Sequence, residues 1–235
     1  HYVDELHRHH PQFEIASNWA YTSFMPEPVT VEVDYISGDF TLQDSVNSAR
    51  LEGRCMAHQG KPWDLMAWGF SRRFGASTGE KPEHANCTKS PTQLKQEAAV
   101  ALALGGGFQV YFPQKRDGSV RLWEMDVMAE VAEFCRARQA FCHRAQAAPQ
   151  VGLLLSTAAF YRKNKKLFGA WHGELDALKG TLQSLLNSQY SVEILSEHHL
   201  RGCMAGYPLL VIPEWSYLEQ DFRTELLDYV QGGGS

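Results

Sequence analysis

Short apolar runs alternate with segments of helical periodicity along residues 1–148. The apolar runs predict four strands, which are Phe13–Ala20, Val31–Phe40, Trp63–Phe70 and Phe108–Phe112. The segments around them predict helices at Tyr2–His10, Asp44–His58, Gln93–Leu104 and Met125–Ala145. The strands read as continuous apolar runs, which is typical of parallel strands covered by helices. We therefore predict an α/β fold for this half of the chain.

A second, more closely spaced alternation follows Ala147–Pro149, which has the composition of a domain junction. Its predicted strands are Val151–Ser156, Ser191–Ser196 and Pro208–Trp215, and its predicted helices are Leu175–Leu186 and Leu218–Val230. This pattern favours a small doubly wound parallel sheet with its switch point after the first of these strands. We place the domain boundary between residues 148 and 149.

Glycine, serine and proline residues predict a loop and the two ends of a helix between the third and fourth strands. Ser71–Ser90 is rich in Gly, Ser and Pro and is predicted to be a long loop, of the kind that often forms a lid or a binding loop. Pro91 after Ser90 favours a helix start, and the triple glycine Gly105–Gly107 favours a helix end. A glycine run at the end of a helix is not a phosphate-binding loop.

The stretch Val31–Phe40 combines apolar β-formers with carboxylates, as a strand does when it leaves a buried sheet for an open rim. Asp34 and Asp39 are therefore the leading candidates for site chemistry. The alternative is that Asp39 closes a Ser-Gly-Asp turn and that Asp34 caps a backbone group.

Composition and charge exclude several classes of function. The 235 residues are 44% hydrophobic and 21% charged, as in ordinary globular proteins. The net charge of −5 argues against a nucleic-acid partner, and the one basic cluster, Arg162–Lys166, is interpreted as a solvated loop. No apolar run has the length of a membrane helix, and the first residues lack the apolar core of a signal peptide.

The cysteines and histidines indicate neither metal nor disulfide chemistry. The five cysteines contain no CxxC pair and are odd in number, so a reducing, cytoplasmic location is expected. No His, Asp or Glu spacing matches a metal site, and no cofactor is predicted. The chain starts at His1 and stops at Gln231–Ser235, where a further strand is expected, so we interpret both ends as cuts.

Several ordered segments together resemble a known group of enzymes. These are SNWAYTSFMPEP, DYISGDF, SARLEGRC, GKPWDLMAWGF and KSPTQLKQEAAVALALGGG. In this order they resemble the second half of the (β/α)8 barrel of bacterial glycoside hydrolases, in particular the α-L-fucosidase-type enzymes of family 151, which are related to the family 42 β-galactosidases. The segment from Val151 through YPLLVIPEWSYL resembles the flavodoxin-like domain that makes those enzymes trimeric.

This resemblance implies a domain assignment and a function. Residues 1–148 become barrel strands five to eight, and residues 149–235 become a truncated trimerisation domain. The implied function is hydrolysis of a terminal α-L-fucoside or galactoside-like sugar by a retaining carboxylate mechanism, in an intact, homotrimeric parent protein. The alternative is a non-catalytic fragment or an oligomerisation module, with Phe160–Trp171 as a contact loop. A glutamine amidotransferase relative is disfavoured because no cysteine follows the third strand of the second domain.

The resemblance also assigns candidate residues. Retaining glycosidases need two carboxylates about 5 to 5.5 Å apart, but the strand ending at Trp68 has no acid there, which argues against the family 42 arrangement. The catalytic candidates are therefore Asp39, Asp34 and Glu27. Asp39 is expected nearest the substrate, and Glu27, between two prolines, is either a fixed acid/base or a surface carboxylate.

Sugar-binding candidates lie at the ends of two strands. Asn18 is expected to bind a hydroxyl group. Trp19 and Trp68 are expected to stack on a sugar, with core packing as the alternative. Asp64 is placed outside the site because it lies near the start of its strand, on the side that stabilises such barrels.

Overall fold

The computed structural model describes residues 2–72, 86–164 and 174–235. The chain divides into two compact units. Unit 1 comprises His1–Ala20, Glu32–Gly53 and Lys61–Gln146, and unit 2 comprises Tyr21–Val31, Arg54–Gly60 and Ala147–Ser235. The domain boundary at residues 148/149 stays a prediction.

Unit 1 is built around a parallel sheet. In chain order its elements are α1 (Tyr2–His9), β1 (Ala16–Ala20), β2 (Tyr35–Asp39), α2 (Ser45–Ala57), β3 (Trp63–Trp68), β4 (Phe70–Arg72), β5 (Asn86–Thr88), α3 (Pro91–Ala103), β6 (Gly107–Tyr111) and α4 (Leu122–Cys142). Strands β1, β2, β3 and β6 lie side by side in that order, all parallel. The predicted α/β fold class is confirmed.

One face of this sheet is apolar and buried. Ile36 of β2 and Leu65 and Ala67 of β3 are fully buried there. Helix α3 packs against β3, β6 and α4, and it begins with a capping box in which Ser90 and Gln93 bond reciprocally. Burial of this face explains why β2 and β3 form at these positions, and it leaves the opposite face for polar side chains.

A buried ion pair anchors α3. Lys89 Nζ lies 2.7 Å from Glu97 Oε1, and the two side chains are only 2% and 1% exposed. Ser45 Oγ, in the first turn of α2, donates to the same oxygen at 2.6 Å. A cleft of about 500 Å³ lies against this cluster. The pair thus joins the start of α2 to the segment that leads into α3.

The structure corrects three expectations for unit 1. Strand β2 starts at Tyr35, so Val31–Asp34 precede the strand. The segment Ser71–Ser90 is not wholly a loop, because β4 and β5 pair as an antiparallel hairpin from its two ends; residues 73–85 lie outside the described residues. Helix α4 begins at Leu122, before the predicted Met125.

Unit 2 contains a three-stranded parallel sheet. Its main elements are β7 (Val151–Leu154), α5 (Thr157–Lys163), α6 (Asp176–Asn187), β8 (Val192–Leu195), α7 (Glu197–Leu200), β9 (Leu209–Val211) and α8 (Gln220–Gln231). The strand order β8-β7-β9 is that of a doubly wound, flavodoxin-like sheet. Every position of β7 and β8 is buried, as the continuous apolar runs predicted.

The basic segment of unit 2 differs from its prediction. Arg162 and Lys163 lie on α5 and not in a loop, because Phe160 on the same helix is fully buried and anchors it. The Arg162 guanidinium stacks on the ring of Tyr217, 3.4 Å from its centroid. Of the predicted contact loop Phe160–Trp171, residues 165–171 lie outside the described residues.

Glu193 gives unit 2 an acid-sensitive contact. Its buried carboxylate accepts a hydrogen bond from Tyr207 Oη at 2.7 Å and lies 3.3 Å from His58 Nε2. Burial alone raises the pKa of Glu193, but His58 and Tyr207 together outweigh burial and hold this pKa below its usual value. The stabilisation is therefore complete above the unfolded-state pKa and is lost as the pH falls through the lower folded-state pKa.

We expect Glu193→Gln to be less stable than the wild type at neutral pH, with a difference that shrinks below about pH 4. Thermal unfolding followed by circular dichroism between about pH 3 and pH 7 measures this difference. A difference that does not depend on pH would contradict the assigned role of the Glu193 carboxylate. Asp228→Asn, at an exposed position on α8, is the control for the loss of one charge.

Within the described residues there is neither a membrane-spanning helix nor a metal-binding cluster. No helix in these ranges is both long enough and apolar enough to cross a bilayer. Likewise, no group of three or more His, Cys, Asp or Glu side chains in the described part of the chain is arranged to hold a metal ion.

Candidate functional site

The face of the unit 1 sheet opposite the apolar one carries polar and aromatic side chains. We call it the open face. Its residues share a side because paired positions of parallel strands, and alternate positions along a strand, point the same way. The open face consists of Asn18, Ser37, Asp39, Asp64, Met66, Trp68, Gln109 and Tyr111.

Asp39 lies at the carboxyl end of β2, where active sites of barrel enzymes gather. Its side chain is half-buried, and burial together with the nearby negative charge of Asp64 raises the pKa of Asp39. A carboxyl group with a raised pKa keeps its proton to higher pH, which a general acid requires. That Asp39 lies nearest the substrate stays a prediction.

Asp64 is the main residue that sequence reasoning placed elsewhere. Its Oδ1 accepts hydrogen bonds from Ser37 Oγ at 2.6 Å and from Gln109 Nε2 at 2.8 Å. Gln109 also donates to Ser37 at 2.9 Å, so three strands are joined by one polar network. Asp64 lies in that network beneath Asp39. The signal in the sequence was an acid inside an otherwise apolar strand, one residue from its start.

Trp68 ends β3 on the open face. Its indole nitrogen donates to Phe40 O at 2.9 Å, which fixes the ring. The rings of Trp68, Phe70 and Tyr111 meet edge to face, with centroids 5.7 to 6.3 Å apart. These rings line one side of a cleft of about 790 Å³, here called the aromatic cleft, which also includes Trp123. Trp68 thus links the face that carries Asp39 to a ligand-sized space.

Asn18 and Trp19 lie at an irregular point of β1. The pairing with β2 shifts between Asn18 and Ala20, so Trp19 has no direct partner position. Asn18 Oδ1 accepts from Ala20 N at 2.7 Å. The indole nitrogen of Trp19 is buried and has no hydrogen-bond partner among residues 2–72, 86–164 and 174–235. Asn18 is therefore on the open face, and the sugar-stacking role of Trp19 stays a prediction.

The two remaining catalytic candidates have other partners. Asp34 precedes β2, and its Oδ2 accepts from Ile15 N at 2.7 Å and lies 3.1 Å from His7 Nε2. The Ile15 amide, and to a smaller extent His7, hold the pKa of Asp34 below its usual range. Glu27 belongs to unit 2, where burial and then a hydrogen bond to Glu27 raise the pKa of Tyr161. Among these three acids, Asp39 alone is on the open face.

No protein-family model matches this sequence, and no curated protein is similar to it. Solved structures are similar in fold. A β-galactosidase from Bacillus circulans sp. alkalophilus has a TM-score of 0.68 at 16% identity, covering 99% of this chain and 36% of that chain. A β-galactosidase from Rahnella sp. R3 has a TM-score of 0.67 at 19% identity, covering 99% and 37%.

An enzyme of the other predicted type is also similar. Alpha-L-fucosidase isoenzyme 2 from Paenibacillus thiaminolyticus has a TM-score of 0.63 at 18% identity, covering 80% of this chain and 26% of that chain. The chain thus spans between about a quarter and two-fifths of the length of these proteins. At this level of identity the likeness shows the fold, which is that of barrel glycoside hydrolases.

Proposed function

We propose that this chain is part of a glycoside hydrolase in which Asp39 is the acid/base carboxyl group. The observation that carries the proposal is the raised pKa of a half-buried carboxyl group at the carboxyl end of a barrel-type strand. The fold shared with an α-L-fucosidase and with β-galactosidases supports a terminal α-L-fucoside or galactoside-like substrate. Membership of family 151 is part of this proposal.

The proposed reaction proceeds in two steps. Asp39 protonates the glycosidic oxygen while a second carboxylate attacks the anomeric carbon, and the alcohol leaves. Asp39 then removes a proton from water, which hydrolyses the glycosyl–enzyme bond and restores both carboxyl groups. Asp64 lies deeper in the sheet and acts on Asp39 by its charge. The second carboxylate is supplied by another strand of the complete barrel.

An assay of the full-length protein against a panel of 4-nitrophenyl glycosides tests this function. The panel includes the α-L-fucoside and the β-D-galactoside, with the α-D-glucoside as a control. We expect release of nitrophenol from at least one of the first two substrates. Hydrolysis of none of the panel by a folded, full-length protein would overturn the proposal.

The charge of Asp64 provides a sharper test through the pH profile. Asp64→Asn removes a negative charge that raises the pKa of Asp39, while its amide oxygen still accepts from Ser37. If protonated Asp39 is the acid, the alkaline limb of kcat/KM moves to lower pH in this variant. An alkaline limb that stays at the wild-type pH would contradict the coupling of the two residues. Asp126→Asn, at an exposed position on α4, is the charge control.

A second proposal concerns unit 2, which we infer to be an assembly module of a homotrimer. Apolar side chains remain exposed on and beside β9 and on α8, namely Leu209, Ile212, Leu227 and Val230. A face of this kind suits contact with a second copy of the chain. The molar mass of the full-length protein, measured by light scattering, tests the role, and a monomer would contradict it.

All five cysteines are free thiols, which supports the proposed reducing compartment.

A further inference from the structure

The loop that follows β6 brings positive charge to the aromatic cleft. Lys115, Arg116 and Arg121 line this cleft together with the aromatic rings. The loop is tightly closed, because Lys115 N donates to Ser119 O at 2.8 Å and Gly118 has a φ of +82°. The turn therefore holds Lys115 and Arg116 at the rim of the cleft.

The acids near this rim are already engaged. Asp117 accepts hydrogen bonds from the hydroxyl and the amide of Ser119, which hold the pKa of Asp117 below its usual range. Glu124 is buried and pairs with Arg121 at 3.5 Å. Lys115 and Arg116 are exposed, and neither side chain has a carboxylate partner within the described ranges. Two cations thus remain available to a ligand in the cleft.

The aromatic side chains give the cleft a second type of contact. Tyr111 is 39% exposed and Trp123 is 51% exposed, although both belong to a concave surface. A sugar ring has an apolar C–H face that covers such rings, and its edges carry the polar groups. An aromatic floor with a cationic rim is therefore complementary to a sugar that has a negative charge on its edge.

We propose that the aromatic cleft binds a sugar unit bearing an anionic group, either a carboxylate or a sulfate ester. The inference rests on the proposed glycosidase function and specifies its substrate class. The anionic group lies at Lys115 and Arg116, and the ring lies against Tyr111 and Trp123. Arg116 suits this role because its guanidinium binds carboxylate and sulfate oxygens with two parallel hydrogen bonds.

Direct binding measurements test the proposal without requiring turnover. D-galacturonic acid, D-galactose 6-sulfate and D-galactose are each titrated into the full-length protein and followed by calorimetry or by ligand-observed NMR. At least one of the anionic sugars is expected to bind about tenfold more tightly than D-galactose at low salt. This preference is expected to fall at higher salt, because the cations are exposed. The two anionic probes distinguish a carboxylate from a sulfate.

Three variants test which residues produce the preference for anionic sugars. The Lys115→Ala/Arg116→Ala variant is expected to bind all three sugars about equally. The Arg136→Ala/Lys179→Ala variant removes the same charge from exposed positions elsewhere and is expected to keep the preference. Trp123→Ala is expected to weaken all three sugars by a similar factor, which leaves their ratio unchanged.

Equal binding of neutral and anionic sugars by the wild type would overturn the proposal, and so would a preference that survives the Lys115/Arg116 change. These outcomes are separate from failure of the proposed function. If no glycoside is hydrolysed but the anionic preference is found, the enzyme assignment fails and the binding site stands. If neutral glycosides are hydrolysed without any anionic preference, the binding inference alone fails.

Discussion

Asp39→Asn is expected to lower kcat of the full-length enzyme by at least about a hundredfold, the usual size of an acid/base contribution. The amide cannot donate the proton that the leaving oxygen needs, whereas the shape of the side chain is kept. KM should change little, because the effect is on the transition state. Initial rates with a glycoside of an unactivated alcohol, whose leaving oxygen needs the proton, measure both constants. A raised KM with an unchanged kcat would instead indicate that Asp39 binds a hydroxyl group.

Two observations separate this effect from damage to the fold. Burial and the charge of Asp64 disfavour ionised Asp39 in the folded state, so a neutral amide should not lower the melting temperature at neutral pH. Asp34→Asn makes the same chemical change next to the same strand, but Asp34 is engaged with Ile15 and His7. We expect this control to keep kcat within about threefold of the wild type. Equal losses in both variants would contradict the assignment.

Lys89→Met is expected to lower the free energy of unfolding by about 3–5 kcal/mol, as breaking a buried ion pair from one side does. Methionine fills a similar volume but leaves the Glu97 carboxylate buried without its cation. Ser45 Oγ still donates to Glu97 Oε1, but Oε2 has no hydrogen-bond partner in the part of the chain that the structure describes, so the charge is only partly compensated. Urea unfolding followed by circular dichroism measures the change.

Helix α3, which carries Glu97, also offers a matched control. Lys95 pairs with Glu130 at 3.0 Å, but these side chains are 31% and 58% exposed. Lys95→Met should therefore cost less than about 1 kcal/mol. In addition, Lys89→Met/Glu97→Leu should recover most of the loss, because it removes both buried charges. Equal destabilisation by the two lysine substitutions would show that the buried Lys89–Glu97 pair stabilises the fold no more than the exposed Lys95–Glu130 pair does.

Local sequence was sufficient to locate most helices and strands. The Ser90–Pro91 boundary and the glycine run at Gly105–Gly107 mark the ends of α3 to within a few residues, because caps and breakers act on adjacent backbone groups. The continuous apolar runs of β7 and β8 likewise indicated strands that are buried on both faces. The hairpin β4–β5 was missed because its short strands are separated by a long Gly- and Ser-rich segment.

The candidate site was only partly visible in the sequence. Asp39 was identified in the sequence because it follows an apolar run and a Ser-Gly pair. Asp34 stayed a candidate beside Asp39, and only the structure shows that it accepts a hydrogen bond from the backbone amide of Ile15, which is distant in sequence. Nothing local distinguished a carboxyl group that caps the chain from one that lies on an open sheet face.

The sequence by itself determined the α/β class, the order of the elements and the presence of an acid at the end of β2. These follow from hydrophobic periodicity and from capping, which depend on neighbouring residues. Only the tertiary structure decided that Asp64 lies beneath Asp39 and accepts hydrogen bonds from Ser37 and Gln109. The reason is that strand register and face are set by pairing between distant segments, and the charge of one carboxylate raises the pKa of another only after that pairing has brought them together.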